Sequence, residues 1–125
     1  MISKRCYYLE MVRMTYEEAK ANCASKFLNS GKLFEPLSLQ VNDLVWEEFK
    51  DTIVPNGYGP WIGVNNQESD SVYKYSSSGS EVSFTIPWKH GLHGQANRGC
   101  IYMWREAKWV DRSCTPSQVS ICEHQ

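Results

Sequence analysis

The chain has 125 residues and a formal net charge of −1, from 13 Lys and Arg against 14 Asp and Glu. This length predicts one domain over residues 1–125. The balanced charge argues against a nucleic-acid or anionic-membrane module, because no basic field collects phosphates. No apolar run approaches the roughly 18 residues that a membrane span needs. Residues 1–5 are too few and too polar for a signal peptide, so we expect Met1 to begin an expressed fragment.

Five cysteines are the most informative part of the composition. None stands in a Cys-x-x-Cys pair, which argues against zinc-ribbon and thioredoxin-like motifs. Their wide spacing favours long loops closed by disulfides, which persist in oxidising compartments. A cytosolic protein with five buried thiols is the alternative. Because five is odd, at least one cysteine lacks a partner within the chain. The cysteines are Cys6, Cys23, Cys100, Cys114 and Cys122.

The first half of the chain predicts a strand followed by two helices. Aromatic residues favour a strand over Cys6–Met11. Thr15 and Glu18 have the spacing of a capping box at the start of the first helix. We expect a second helix from Val41 to Ile53. The first helix would bury Tyr16, Ala19, Cys23 and Phe27, and the second Val41, Val45, Phe49 and Ile53.

The second half predicts short strands around one long loop. Pro87–Gly99 contains three glycines and two histidines without a strand pattern, so we expect a long ordered loop there. Helices come first and strands later, which favours the α+β class with antiparallel sheets. The expected strands are Trp61–Val64, Val72–Tyr75, Cys100–Trp104, Lys108–Asp111 and Val119–Glu123.

Several short motifs follow one another in a specific order. Cys23 closes the first helix, and the segment 61–64 reads Trp-Ile-Gly-Val. Cys100 and Cys114 bracket a Trp-x-Asp motif at 109–111, and the segment 121–123 reads Ile-Cys-Glu. Because these motifs occur in this order, the chain resembles the C-type lectin-like domain family over nearly its whole length.

The resemblance implies a double-loop α+β fold with two helices, two small antiparallel sheets and a long loop. It also implies the disulfides Cys23–Cys122 and Cys100–Cys114. These would close loops of about 100 and about 15 residues, worth roughly 4.7 and 3 kcal/mol in the chain-entropy model. The fifth cysteine, Cys6, is then a buried free thiol, has lost its partner by truncation, or bridges two chains in a dimer.

Sugar-binding members of that family hold Ca²⁺ with a Glu-Pro-Asn or Gln-Pro-Asp triplet in the long loop, a Glu before the third cysteine and a Trp-Asn-Asp triplet. The first triplet falls here on Leu92-His93-Gly94 or, with a shifted alignment, on Ile86-Pro87-Trp88. Arg98 replaces the Glu, and Val110 leaves Asp111 alone in the last triplet. Because Ca²⁺ takes 6–8 oxygen ligands, we expect the primary calcium site to be lost, with no metal or cofactor there.

Two weaker metal signals remain. Asn66, Glu68 and Asp70 could hold an auxiliary calcium ion, although a solvated polar loop explains them as well. His90 and His93 lie three residues apart and could bind Zn²⁺ with Asp111. Histidines that titrate at the surface are the alternative to that zinc site.

The candidate ligand-binding residues are Arg98, Trp104, His90, His93 and Asp111. Arg and aromatic side chains anchor protein interfaces, so Arg98 and Trp104 are the expected anchors. Strand alternation puts Tyr102 and Trp104 on one face and Ile101 and Met103 on the other. Trp61, Trp88 and Trp109 are expected in the core.

These observations favour an extracellular recognition module, secreted or part of a cell-surface ectodomain, that binds a protein ligand through the long-loop face without the usual calcium site. The alternative is a carbohydrate-binding lectin with a non-standard or calcium-independent site. A structural role in assembly is a third reading. No nucleophile elbow, zinc-protease motif or phosphate loop occurs, so we expect no enzymatic activity.

Overall fold

The computed structural model describes residues 5–27, 30–57, 59–67, 72–89 and 99–125. Two helices and seven strands lie in these ranges. Short 3₁₀ turns over Val54–Asn56 and Arg105–Ala107 complete them. In chain order the elements are β1 (Cys6–Met14), α1 (Tyr16–Lys26), β2 (Lys32–Leu33), α2 (Leu39–Ile53), β3 (Trp61–Asn65), β4 (Lys74–Tyr75), β5 (Cys100–Trp104), β6 (Lys108–Arg112) and β7 (Gln118–His124).

The predicted capping box at the start of α1 is confirmed. The Thr15 hydroxyl accepts from the Glu18 N–H at 3.2 Å, and the Glu18 carboxylate accepts from the Thr15 N–H at 2.9 Å. Both donors would otherwise lack a partner at a helix start. The helix buries three of the four predicted side chains, Tyr16, Ala19 and Cys23.

Helix α2 begins two residues earlier than predicted and buries a different stripe. The Ser38 hydroxyl caps it by accepting from the Val41 N–H at 3.2 Å. Val45 and Ile53 are buried as predicted, whereas Val41 and Phe49 are only half-buried. Asn42 and Trp46 take the remaining buried positions, so the buried face of the helix includes one residue on the C-terminal side of Val41 and one on that side of Val45.

The strands form one sheet in the order β1-β7-β3-β5-β6, with β2 also paired to β7 and β4 to β3. Every pairing is antiparallel except the parallel contact of β3 with β7 at Trp61 and Ser120. The α+β class is confirmed. The two small antiparallel sheets expected from the sequence are joined by this one contact.

Two apolar clusters cover the sheet. The larger packs Trp46 and Ile53 of α2 against strand residues such as Ile62 and Met103. The smaller packs Tyr16 of α1 against Trp61, whose rings meet edge to face at 5.5 Å.

Both predicted disulfides are present. Cys23–Cys122 joins α1 to β7, and Cys100–Cys114 joins the start of β5 to the turn after β6. No helix among the described residues is long and apolar enough to cross a membrane.

Candidate functional site

The long loop is anchored to β6 where it leaves the sheet. The Trp109 N–H donates to the Pro87 carbonyl at 2.8 Å, and the Lys89 N–H donates to the Trp109 carbonyl at 3.0 Å. These bonds form a parallel bridge between Trp88 and Trp109. The chain therefore runs toward residue 90 beside β6, in the same direction as that strand.

The loop returns to the same end of the sheet. The Gly99 carbonyl accepts from the Asn66 N–H at 2.9 Å, and Cys100 pairs with Arg112 of β6. A Cβ atom at position 99 would come within 2.7 Å of the Asn66 side-chain oxygen, so a larger residue here would force the Asn66 side chain to move. We call the region formed by Lys89, Gly99, Asp111 and Arg112 the loop base.

Asp111 lies between the two anchors. It follows Trp109 by two residues, precedes Arg112 and pairs with Ile101 of β5. Its side chain is buried, with 3% of the residue exposed. The Asp111 carboxylate therefore lies in the packed interior at the end of the sheet where the chain leaves and returns, and not on the open surface.

Few of the described residues fit the calcium ion that the Trp-x-Asp motif implies. Val110 is buried at 6% exposure and has no side-chain oxygen, so it contributes neither a ligand nor charge. Arg98, which directly precedes Gly99 in the sequence, carries a positive charge where the family has a negatively charged ligand. Ca²⁺ takes six to eight oxygen ligands, and Asp111 is the one side chain of the expected set that the described residues keep. The loss of the primary calcium site stays a prediction.

Several sequence-based candidates lie outside the described residues. They are Arg98, His90, His93, Glu68, Asp70 and the Leu92-His93-Gly94 segment. Within the described ranges no three His, Cys, Asp or Glu side chains come together in a way that could hold a metal ion. The zinc, auxiliary-calcium and Arg98 assignments therefore stay predictions.

Asn66 is described and lies beside a small polar cleft. The residue is 3% exposed and joins β3 to Gly99 through its backbone. The cleft has a volume of about 140 Å³ and is lined partly by Lys20, Asn65 and Gln67. Asn65 accepts from the Gln67 N–H at 3.2 Å, which forms a turn directly after the buried strand.

Trp104 lies at the other end of the β5–β6 hairpin from Asp111. It pairs with Lys108, three residues along the strand from the Ile101–Asp111 pair, so roughly 10 Å separate the two positions. The Arg105 guanidinium lies over the Trp104 ring at 5.5 Å from its centroid. Trp104 and Asp111, two of the predicted site residues, therefore belong to different surfaces.

The hairpin tip beside Trp104 has an unusual backbone. Glu106 and Ala107 have φ angles of 65° and 59°, a conformation that non-glycine residues rarely adopt. As the alternation of β5 predicts, Ile101 and Met103 are fully buried while Tyr102 and Trp104 are half-buried. The half-buried Trp104 and its Arg105 neighbour present an aromatic and cationic surface at this tip.

The three tryptophans expected in the core are buried to different degrees. Trp61 and Trp109 are fully buried, and Trp88 is half-buried with its ring edge-on to Tyr73 at 5.0 Å. Among the described residues, Trp88 is the aromatic residue in the first part of the long loop.

Sequence reasoning missed Asn42, which contacts the loop anchor. Its side-chain oxygen accepts from the Trp109 indole N–H at 2.8 Å. A signal was present, because Asn42, Trp46, Phe49 and Ile53 share one helix face at spacings of four, three and four. A stripe of apolar residues alone gave no reason to include an asparagine.

Residues 12–124 match the family model of the lectin C-type domain. The chain is 25% identical over 122 residues to hepatic lectin of Gallus gallus, covering 95% of this chain and 54% of that protein. It is 26% identical over 123 residues to the alpha-N-acetylgalactosamine-specific lectin of Patiria pectinifera, covering 94% of this chain and 73% of that protein. Human lithostathine superposes with a TM-score of 0.83 at 25% identity, covering 100% of this chain and 86% of that structure. The chain thus spans about half the length of the hepatic lectin.

Proposed function

The chain belongs to the lectin C-type domain family, and we propose that it is an extracellular carbohydrate-recognition domain that binds sugar at the loop base without the primary calcium site. The family consists of non-enzymatic recognition modules. The observation that carries the proposal is the similarity to two lectins over 94–95% of the chain. It favours sugar over the protein ligand that the sequence alone suggested as the first choice.

The residues at and next to the loop base support calcium independence. Asp111 is the single side chain of the expected calcium set that the sequence keeps. Val110 cannot coordinate, and Arg98 would repel a cation. Hydrogen bonds from Arg98 and from backbone groups of the loop would replace metal coordination of the sugar hydroxyls, with Trp88 available as an apolar surface for a sugar ring.

The rigidity of the base supports recognition by the loop. Binding residues concentrate on loops that a rigid scaffold positions. Here Trp109 holds the departing segment and Asn66 holds the returning one, both through backbone hydrogen bonds of 3.0 Å or less. Two disulfides, Cys23–Cys122 and Cys100–Cys114, fit an extracellular location, which is typical of domains in this family.

A protein ligand is the second candidate function, and the hairpin tip favours it. Trp and Arg are the residue types most enriched among interface residues that dominate binding energy. Trp104 is half-buried, and the exposed Arg105 places its guanidinium over the Trp104 ring, so both residue types stand together at the tip. This surface lies away from the loop base, and the two candidates can be tested separately.

The test is a glycan array probed with the purified chain in calcium chloride and in EDTA. We expect retention on specific sugars that EDTA leaves unchanged. Arg98→Ala should weaken that binding more than ten-fold, whereas Trp104→Ala should leave it unchanged. Arg13→Ala removes the same charge from β1 and serves as the control. No retention on any sugar would overturn the carbohydrate proposal, and retention that EDTA abolishes would overturn calcium independence.

The protein candidate has its own test on the same variants. A protein partner captured by the wild-type chain and lost on Trp104→Ala, but kept on Arg98→Ala, would support binding at the hairpin tip.

A further inference from the structure

Asn42 on α2 is completely buried and uses both ends of its side-chain amide. Nδ2 donates to the Ala107 carbonyl at 2.9 Å, and Oδ1 accepts from the Trp109 indole N–H at 2.8 Å. A longer contact of 3.3 Å joins Nδ2 to the Asp43 carboxylate. The donor and acceptor roles are opposite at the two ends, so these partners fix the orientation of the amide. Removing it would leave two buried polar groups without partners.

Trp109 connects this amide to the long loop. Its backbone N–H and carbonyl bind Pro87 and Lys89, and its indole N–H is the group that Asn42 binds. The ring is fully buried and meets Phe84 edge to face at 5.7 Å. A residue whose side chain is fixed at both its apolar and its polar end provides a firm attachment for the segment 87–89.

Ala107 connects the same amide to the hairpin tip. Its backbone and that of Glu106 have positive φ angles, which are unfavourable for residues with a Cβ atom. The hydrogen bond from Asn42 to the Ala107 carbonyl therefore helps to hold a conformation that the sequence Arg-Glu-Ala would not choose by itself. One side chain of α2 thus contacts the bases of both candidate binding surfaces.

We propose that Asn42 is a positioning residue for ligand binding at the loop base: acting through Trp109, it holds segment 87–89 in place beside β6. The proposal rests on the proposed function in that the ligand is a sugar. Asn42 is buried and contacts no ligand itself. Its effect on binding is transmitted through the indole hydrogen bond and the two backbone bonds of Trp109.

Amide hydrogen exchange measured by NMR tests the positioning role without any ligand. Asn42→Leu removes both strong bonds, while Trp109→Phe removes the indole donor and keeps the bond from Asn42 to Ala107. We expect the Lys89 amide to exchange at least ten-fold faster in both variants. The amides of the β1–β7 ladder should keep their wild-type rates. Gln40→Leu, an amide-to-leucine change at an exposed position of the same helix, should match the wild type throughout.

Binding of the sugar that the glycan array identifies is the second measurement. Asn42→Leu and Trp109→Phe should each raise its dissociation constant at least ten-fold, and Gln40→Leu should not. If Asn42→Leu does not fold, Trp109→Phe decides both measurements.

Three results would overturn the proposal. In the first, the Lys89 amide of the variants keeps its wild-type exchange rate. In the second, its exchange rate rises only as much as the rates of the β1–β7 amides, and in the third it rises while sugar affinity stays the same. A wild-type chain that retains no sugar overturns the proposed function instead. In that case, faster Lys89 exchange in the two variants would still support Asn42 as the residue that positions the segment.

Discussion

The carboxylate of Glu10 on β1 accepts a hydrogen bond from the Lys26 ammonium of α1 at 3.0 Å. It also accepts from the Asn22 side-chain amide at 3.0 Å and from the Val12 N–H at 3.2 Å. Glu10 is 5% exposed, so an ionised carboxylate is held almost out of solvent. Burial alone raises its pKa, but these hydrogen bonds outweigh burial and keep the pKa of Glu10 below its usual value.

Acid should therefore weaken the contact between β1 and α1. A carboxyl group with a lowered folded-state pKa stabilises the fold above its unfolded pKa, near 4.5, and loses that contribution as the pH falls through the folded value. We expect Glu10→Gln to reduce the free energy of unfolding by about 1–3 kcal/mol at pH 7. Urea denaturation measures the free energy of unfolding of the variant and the wild type at pH 7 and at pH 3. The difference between the two proteins should be smaller at pH 3. Glu17→Gln, an exposed change on α1, is the control, and an equal loss in both variants would contradict the prediction.

The raised pKa of the buried Tyr16 hydroxyl predicts a loss of stability at alkaline pH. Burial raises the pKa of its hydroxyl from 10.0 to about 12, despite the hydrogen bond from Asn65. Between these values the unfolded chain releases a proton that the folded chain keeps, so stability falls by roughly 1.4 kcal/mol per unit of pH. Tyr16→Phe should remove this part of the slope between pH 10 and 12 in urea titrations. Tyr8→Phe, at an exposed tyrosine, should not. The same slope in Tyr16→Phe and wild type would contradict the assignment.

Calcium should have little effect on thermal stability. Asp111 is the single retained carboxylate of the expected set, and ligand number tunes calcium affinity. A tight site would gain several kcal/mol in a millimolar excess of calcium. We expect melting temperatures in calcium chloride and in EDTA to agree within about 5 °C, with magnesium chloride at equal ionic strength as the salt control. A larger shift that is specific to calcium would show that the site is formed from other residues.

Cys6 should be reactive toward other molecules and not toward the other cysteines. It is exposed at the start of β1, opposite His124, while the remaining four cysteines form two disulfides. Exposure removes the reading of Cys6 as a buried free thiol. Intact mass spectrometry without reductant should give a free thiol, a small-molecule adduct or a doubled mass, and Cys6→Ser should abolish the last two. A peptide that links Cys6 to another cysteine of the same chain would contradict the disulfide assigned to that cysteine.

Local patterns in the sequence predicted those features that depend on neighbouring residues. The capping box of Thr15 and Glu18 requires residues three apart, so it could be recognised directly. The alternation of Ile101, Tyr102 and Met103 likewise follows from strand geometry alone. The disulfides followed from resemblance to a family, because cysteine spacing by itself permits several pairings.

Other features depend on contacts that are distant in sequence. The parallel contact of Trp61 with Ser120 joins strands 59 residues apart, and no local pattern indicates it. Asn42 is buried only because Ala107 and Trp109 lie opposite it in the folded chain. The separation of Trp104 from Asp111 follows from where each residue stands along the β5–β6 hairpin. Candidate residues that were grouped by chemistry could not reveal this.

The two disulfides are nested, since Cys100–Cys114 lies inside the ring that Cys23–Cys122 closes. A protease that cuts the backbone once anywhere between residues 24 and 121, the long loop included, leaves two pieces that are still covalently joined. Such a nicked molecule would run as intact protein on a gel until its disulfides were reduced. Cleavage of the loop could therefore end recognition without releasing any fragment of the domain.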